Sequence, residues 1–326
     1  MRFRYIIILM LLPLLTEAQF EKKILVEWFT NTYCGICASK NPGLQEVYKS
    51  FTGGLHRMTI HPDVPYPQCS LHNFNKEDNL ARESYYNIGG TPSLFLNGQS
   101  TSTSSALAFG DAIGAKLGQT SSISVEVDEV SSSQVRITIE SSADLSGEYR
   151  LFVALLEKHL AFDAPNGESE HFDVLRDFVS SADGDPVNIP AAGESMNVSY
   201  SFFVPDGVDP DEAYILAFVQ NYSTKEILNS GTKFDEISTS TVDASDIAEL
   251  TTFPNPATDQ LHVGVGKDFD IHKMEIFSQN GQLMKSVSLT TPEKEASVGI
   301  SALSSGTYLL HVDLGNTIAI SRFIKE

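Results

Sequence analysis

The spacing of apolar residues changes once along this chain, near residue 119, and that change restricts the fold more than any other feature. Before it, strands and helices alternate. Residues 24–29 (Ile-Leu-Val-Glu-Trp-Phe) form a near-continuous apolar run of strand length. Cys34-Gly35-Ile36-Cys37 then leads into a helical stretch through Phe51. Residues 57–60 read as a second strand, 61–73 as a polar, Pro-rich loop, and 76–86 as a helix. Residues 93–96 read as a strand turning at Asn97-Gly98, and 105–117 as a closing helix. This alternation predicts an α/β domain over residues 19–118. After residue 119, Ile123, Val125 and Val127 alternate with polar residues, as do Val135, Ile137 and Ile139, the two-residue period of a half-buried hairpin. Further strands are expected at 149–156, 196–204 and 214–220. Residues 119–234 therefore predict an antiparallel β-sandwich, immunoglobulin-like in general shape. Residues 235–250 are polar and acidic, without a core pattern, and read as a linker. Short strands at 261–265, 273–277, 281–288, 307–312 and 318–324 predict a small all-β domain over 251–326.

Charge is partitioned in the same way. Of the formal net charge of −20, residues 119–250 hold 25 acidic against six basic side chains. A surface without clustered cations does not suit nucleic acid, whose phosphates dominate binding. The acidity fits solubility outside the cell. The acidic run Asp206, Asp209, Asp211 and Glu212 lacks the spacing of a calcium loop.

At the start of the chain, Arg2 and Arg4 precede an apolar run from Tyr5 to Leu15, followed by Thr16-Glu17-Ala18. This is the pattern of an export signal over residues 1–18. No later apolar run reaches the roughly 20 residues of a membrane helix, so no transmembrane segment is expected after signal removal. The three cysteines are then read for an oxidising compartment.

Cys34 and Cys37 carry the chemistry. A CxxC pair at a strand-to-helix junction places the first thiol at a helix N-terminus, where free N–H groups and the dipole favour a thiolate. The second thiol can attack a mixed disulfide and release the product. Zinc sites share this spacing, but no second CxxC or paired His completes one. The alternative is a purely structural disulfide. Cys69 is left over: a third exchanging thiol, a structural thiol, or with His61 and His72 part of a soft-metal site. Glu157, His159, His171 and Arg176 are expected as a structural polar cluster. Asn197 and Asn221 match the N-glycosylation pattern.

Residues 21–117 resemble the thioredoxin superfamily. Tyr33 precedes the CxxC, Pro42 lies five residues after Cys37, and Thr91-Pro92 is similar to the cis-proline loop that faces the CxxC in that family. The resemblance implies that Cys34 is the nucleophile and Cys37 the resolving thiol. It implies substrate contact through Tyr33, Gly35, Ile36, Thr91 and Pro92, and a proton-transfer role for Glu27. The segments 25–30, 64–69 and 85–92, with Leu155-Leu156-Glu157, 171–176 and 217–221, resemble the outer-membrane-protein-28-related family of exported Bacteroidota proteins. Residues 251–326 resemble the type A C-terminal sorting domain of type IX secretion. The motifs are Phe253-Pro254-Asn255-Pro256-Ala257-Thr258-Asp259, Asn280-Gly281-Gln282, residues 303–312 and Arg322-Phe323-Ile324-Lys325, in order. This resemblance implies passage through the periplasm, a type IX translocon and a sortase-like peptidase as partners, cleavage within 235–250, and a final place on the cell surface or in the medium.

Two functions follow as expectations. One is thiol–disulfide exchange on secreted or surface proteins, with protein thiols and disulfides as partners and no cofactor. The other is a non-enzymatic surface binding or adhesion protein that uses the thioredoxin fold as a scaffold.

Overall fold

The computed structural model describes residues 19–51, 53–235, 250–267, 269–279, 281–315 and 317–326. The expected export signal (1–18), nearly all of the expected linker (236–249) and Asn280 lie outside the described residues. The described chain is mostly β and ends in an all-β domain.

The first segment holds β1 (Phe20–Glu21), β2 (Ile24–Phe29), α1 (Gly35–Ser50), β3 (Leu55–Ile60), α2 (Ser70–Phe74), α3 (Lys76–Tyr86), β4 (Ser93–Leu96), β5 (Gln99–Thr101) and α4 (Ala106–Gly114). The middle segment holds β6 (Thr120–Ser121), β7 (Ile123–Ser131), β8 (Gln134–Ser141), β9 (Tyr149–Ala161), β10 (Glu170–Phe178), β11 (Asp185–Val187), β12 (Ser195–Ser201), β13 (Ala213–Asn221) and β14 (Ile227–Thr232). The tail holds β15 (Leu250–Phe253), β16 (Gln260–Val265), β17 (Ile271–Ser278), β18 (Leu283–Glu293), β19 (Glu295–Gly299), β20 (Gly306–Asp313) and β21 (Thr317–Lys325).

The helices begin where local chemistry favours them. Asn75 caps α3 through its side chain, which accepts the Asp78 N–H at 3.3 Å, and Glu77 and Asp78 lie in the first turn. Caps of this kind contribute about 1 kcal/mol. Asn87 closes the helix in the left-handed conformation at φ 53°.

In the first segment β2 runs parallel to β3 and antiparallel to β4, which pairs antiparallel with β5. The sheet does not stop there. The far edge of β3 meets β10 in parallel, and the order continues through β9 and β13 to β14. Strands from both sides of residue 119 therefore share one nine-stranded sheet. A seven-stranded sheet orders β18, β17, β20, β21, β12, β8 and β7, and so joins the tail to the middle segment. Both sheets run across the expected unit boundaries.

Side-chain alternation sorts the core into layers. On one face of the large sheet, Leu25, Phe29, Phe152, Leu156, Leu216 and Phe218 pack with Tyr86 of α3. On its other face, Ile24, Val26 and Trp28 meet Leu44 of α1 and Phe109 of α4. Farther along that face, Leu151, Val153, Ile215 and Val219 meet Ile123, Val125, Ile137 and Val198 of the second sheet, which makes the sandwich.

Strands β1, β6, β10, β11, β14, β15 and β19 and the short helix α2 were not expected. In β10, Asp173 and Arg176 interrupt the apolar pattern. Arg57 and Glu157, distant in sequence, supply their partners.

The Asn97-Gly98 turn is as expected. Gly98 has φ 80°, and a Cβ there would lie 1.7 Å from the Lys225 carbonyl oxygen. Gly98→Ala is expected to destabilise by about 2 kcal/mol or more, since strain and backbone overlap add. A chemical-denaturation midpoint equal to that of the parent protein would refute this.

Candidate functional site

Thr30-Asn31-Thr32 breaks β2 and carries the chain over the sheet edge to the CxxC. Asn31 holds that turn: its side chain accepts the Tyr33 N–H at 3.0 Å and donates to the carbonyls of Pro62 and Tyr66 at 3.0 and 3.1 Å. Cys34 then serves as N-cap of α1, its Sγ accepting the Cys37 N–H at 3.0 Å. Cys34 and Cys37 are joined by a disulfide, with Cα atoms 5.2 Å apart.

Thr91–Pro92 is a cis peptide and lies against the disulfide, with the Thr91 carbonyl oxygen 3.4 Å from Cys34 Sγ. Among the described residues the buried Thr91 hydroxyl finds no hydrogen-bond partner. The structure thus brings together Cys34, Cys37 and Thr91. Tyr33 and Ile36 are 37% and 60% exposed around the disulfide, and Gly35 is exposed between them. Cys34 itself is only 3% exposed and Cys37 is fully buried.

Part of that cover comes from a segment that sequence reasoning missed. The loop between β9 and β10 reaches over the CxxC turn. The Asn166 N–H donates to the Thr32 carbonyl at 3.0 Å, and its side-chain amide donates to the Asn31 and Cys34 carbonyls at 3.3 and 3.2 Å. Glu168 accepts from the Asn41 amide of α1 at 2.8 Å. No local pattern signals this contact, because loop and turn lie more than 130 residues apart. Between the loop and α1 opens a cleft of about 560 Å³, lined by Trp28, Asn41, Gln45, Lys49, Glu168 and Phe172 among others.

Glu27 is not near the disulfide chemistry. It shares the sheet face of Leu25 and Phe29, opposite the face covered by α1. Fully buried there, it is held by the Arg82 guanidinium and by the Tyr86 hydroxyl, which donates to it. Arg82 also donates to Gln220 Oε1 at 3.1 Å. The proton-transfer role implied by the thioredoxin resemblance is corrected to a buried ion pair.

Cys69 is a free, buried thiol whose Sγ accepts a hydrogen bond from the Thr32 hydroxyl at 3.1 Å. His72 Nδ1 lies 2.8 Å from the His61 carbonyl oxygen, and the buried His61 Nε2 has no partner among the described residues. Burial, with His171, Arg176 and His72 nearby, holds His61 well below its ordinary pKa and so neutral. Among the described residues no group of three or more His, Cys, Asp or Glu is arranged to hold a metal ion, which leaves the soft-metal reading of Cys69 without support. The expected polar cluster divides. Arg176 Nε donates to Glu157 Oε2 at 2.7 Å in a buried pair, while His159 pairs with Glu170 at the surface.

Comparison with known proteins finds family matches in the middle and in the tail of the chain. Residues 251–326 match the secretion system C-terminal sorting domain, and residues 79–233 match the outer membrane protein Omp28 family. No curated protein matches the chain. Among solved structures, HBP35 of Porphyromonas gingivalis is similar at 19% identity and a TM-score of 0.56, over 94% of this chain and 98% of that one. At that identity the likeness is one of fold alone. A protein of Agrobacterium tumefaciens (18% identity, 68% of this chain and 100% of that one, TM-score 0.46) is more distant. So is a domain of the outer membrane lipoprotein Omp28 from Porphyromonas gingivalis (16%, 34% and 83%, TM-score 0.23). Among the described residues no helix is long and apolar enough to cross a membrane. The chain is similar to the Omp28 family over residues 79–233 and carries a secretion-system sorting domain over residues 251–326, which together mark an exported protein of the outer membrane or cell surface.

Proposed function

We propose that this protein performs thiol–disulfide exchange on exported or surface polypeptides through Cys34 and Cys37. The reading treats residues 19–118 as a thioredoxin-like unit, 119–234 as an acidic sandwich and 251–326 as the sorting tail that engages the secretion machinery. Support comes from the parallel β2–β3 pair bridged by α1, the antiparallel β4–β5 hairpin, and the cis Thr91–Pro92 loop against the CxxC.

The observation that carries the reading is the cap of α1. Cys34 Sγ already accepts the Cys37 N–H at the helix N-terminus. On reduction, the same N–H and the helix dipole would stabilise a Cys34 thiolate. In the oxidised protein a substrate thiolate attacks Cys34 Sγ, the Cys34–Cys37 bond breaks, and Cys37 leaves as a thiolate. A second substrate thiolate attacks the substrate sulfur of the mixed disulfide. The substrate departs oxidised and the pair is left reduced. The reverse direction uses the same atoms. Tyr33, Ile36, Thr91 and Pro92 border the reacting sulfur, and no cofactor enters the exchange.

The second reading, a surface binding protein with a structural disulfide, is favoured by one observation: Cys34 is 3% exposed beneath the Asn166 loop. Equilibration of the protein in glutathione buffers separates the two. A reduction potential between about −120 and −270 mV is expected for an exchanging pair, and a value below about −300 mV would mark a structural bond. Cys34→Ser is expected to abolish exchange while the fold persists. Undiminished turnover in that variant would overturn the assignment.

A further inference from the structure

The sorting tail does not stand apart from the rest of the protein. Its last strand, β21, pairs in parallel with β12, matching Asn197 to Thr317, Val198 to Ile318, Ser199 to Ala319 and Tyr200 to Ile320. The opposite side of β12 pairs with β8, so β21 is what covers the remaining edge. An uncovered edge would present unpaired N–H and C=O groups.

Side chains close the same seam. Leu309 and Ile320 of the tail are 2% exposed within the sandwich core, in one cluster with Val198 and Tyr200. Arg322 Nη1 donates to Asp177 at 3.1 Å, and its other terminal nitrogen donates to the Phe178 carbonyl. The Ser181 hydroxyl donates to the Gln279 carbonyl. Gly281, at φ 70°, lies so close to the middle segment that a Cβ there would meet the Arg150 guanidinium at 2.7 Å. His311 Nε2 lies 3.7 Å from Asp185. Three of the four tail motifs therefore touch the protein they would sort: the central turn at Gly281, the strand motif at Leu309 and His311, and the basic end at Arg322.

We infer that the edge of β12 and the adjoining segment 177–185 form a docking surface for the sorting tail. The tail stays bound to it when the connecting chain is cut. A continued ladder, a buried apolar seam and a charge-assisted pair make up an interface that does not need the covalent tether. The tether only raises the effective concentration of the tail. Separation of the tail from the folded protein then requires this interface to open as well as a peptide bond to break. The Arg322 guanidinium, bonded to Asp177 and the Phe178 carbonyl, is free to pair with another partner only after the interface opens. The inference is independent of the thiol chemistry.

The test uses the full mature chain with a site for a specific protease placed within 236–249. After cutting, the two pieces are expected to co-migrate on size exclusion at micromolar concentration and to separate only in denaturant. Elution as two species under native conditions would overturn the inference. In the same cut protein Arg322→Ala is expected to weaken retention about tenfold, since one partner of a hydrogen-bonded charge pair is lost. Hydrogen exchange supplies a readout that does not depend on folding of a variant. Amides of 195–201 should keep their protection after cutting, and loss of that protection on cutting would also refute docking.

Discussion

Arg82→Ala is expected to destabilise the folded protein by about 3–5 kcal/mol, because it leaves the fully buried Glu27 carboxylate without its counter-charge. The guanidinium does more than neutralise Glu27. It lies over the rings of Phe152, Tyr86, Tyr85 and Phe218, at 4.7, 4.9, 5.0 and 5.5 Å from their centroids, and it donates to Gln220. It therefore ties α3 to β2 on one side and to β9 and β13 on the other. Pairing a desolvated cation with aromatic faces adds to the ion pair. Arg82→Ala combined with Glu27→Gln should recover part of the loss, since no net charge is then stranded. Glu27→Gln alone should lower stability but leave the pH profile of the proposed thiol exchange in place, because Glu27 faces away from α1. A loss below about 1 kcal/mol for Arg82→Ala would sink the ion-pair account. A shifted exchange profile for Glu27→Gln would restore the proton-transfer role.

The second large effect is pH-dependent stability through Asp78. Its carboxyl is raised from 3.8 to about 7, first by burial and then by the neighbouring Asp177. The bonds from the Phe178 N–H at 2.6 Å and from the Asn75 amide at 2.5 Å oppose the shift without cancelling it. The folded state keeps a proton that the unfolded state has already released at pH 5. This group's contribution is thus fully present below about pH 4, is lost as pH rises toward 7, and changes no further above that. Asp78→Asn removes the titrating proton and retains an acceptor for the Phe178 N–H. Relative to the parent, the variant should gain stability steadily between pH 4 and pH 7, by a few kcal/mol in total. Urea midpoints measured across that range decide the matter. A difference between the two proteins that does not vary with pH would show that Asp78 is ionised throughout.

Much of the fold was legible because it rests on local rules. β2, α3 and β4 have the bounds expected, since each is an apolar or amphipathic run between strong breakers such as Thr30-Asn31, Asn75 and Asn97-Gly98. The CxxC turn and the cis Thr91–Pro92 loop were also legible, and the structure brings them into contact. β10 was not, because its charged residues conceal a buried strand. Asp173 is answered by Arg57 and Arg176 by Glu157, and neither partner is near in sequence. The proton-transfer role of Glu27 rested on the thioredoxin resemblance alone, and only the packing of α1 and α3 reveals that Glu27 lies on the opposite sheet face with Arg82 and Tyr86.

Residue order by itself determined the strand–helix alternation up to residue 119, the β character after it, the CxxC at a helix start and the motifs of the sorting tail. Each of these depends on residues within a turn or two of one another. Tertiary structure decided that β3 and β10 join two segments into one sheet, that the Asn166 loop covers Cys34, and that β21 completes the edge of β12. These are bonds to backbone groups across more than 100 residues. Any strand edge can make such bonds, so their choice is set by which surfaces the folded chain brings together.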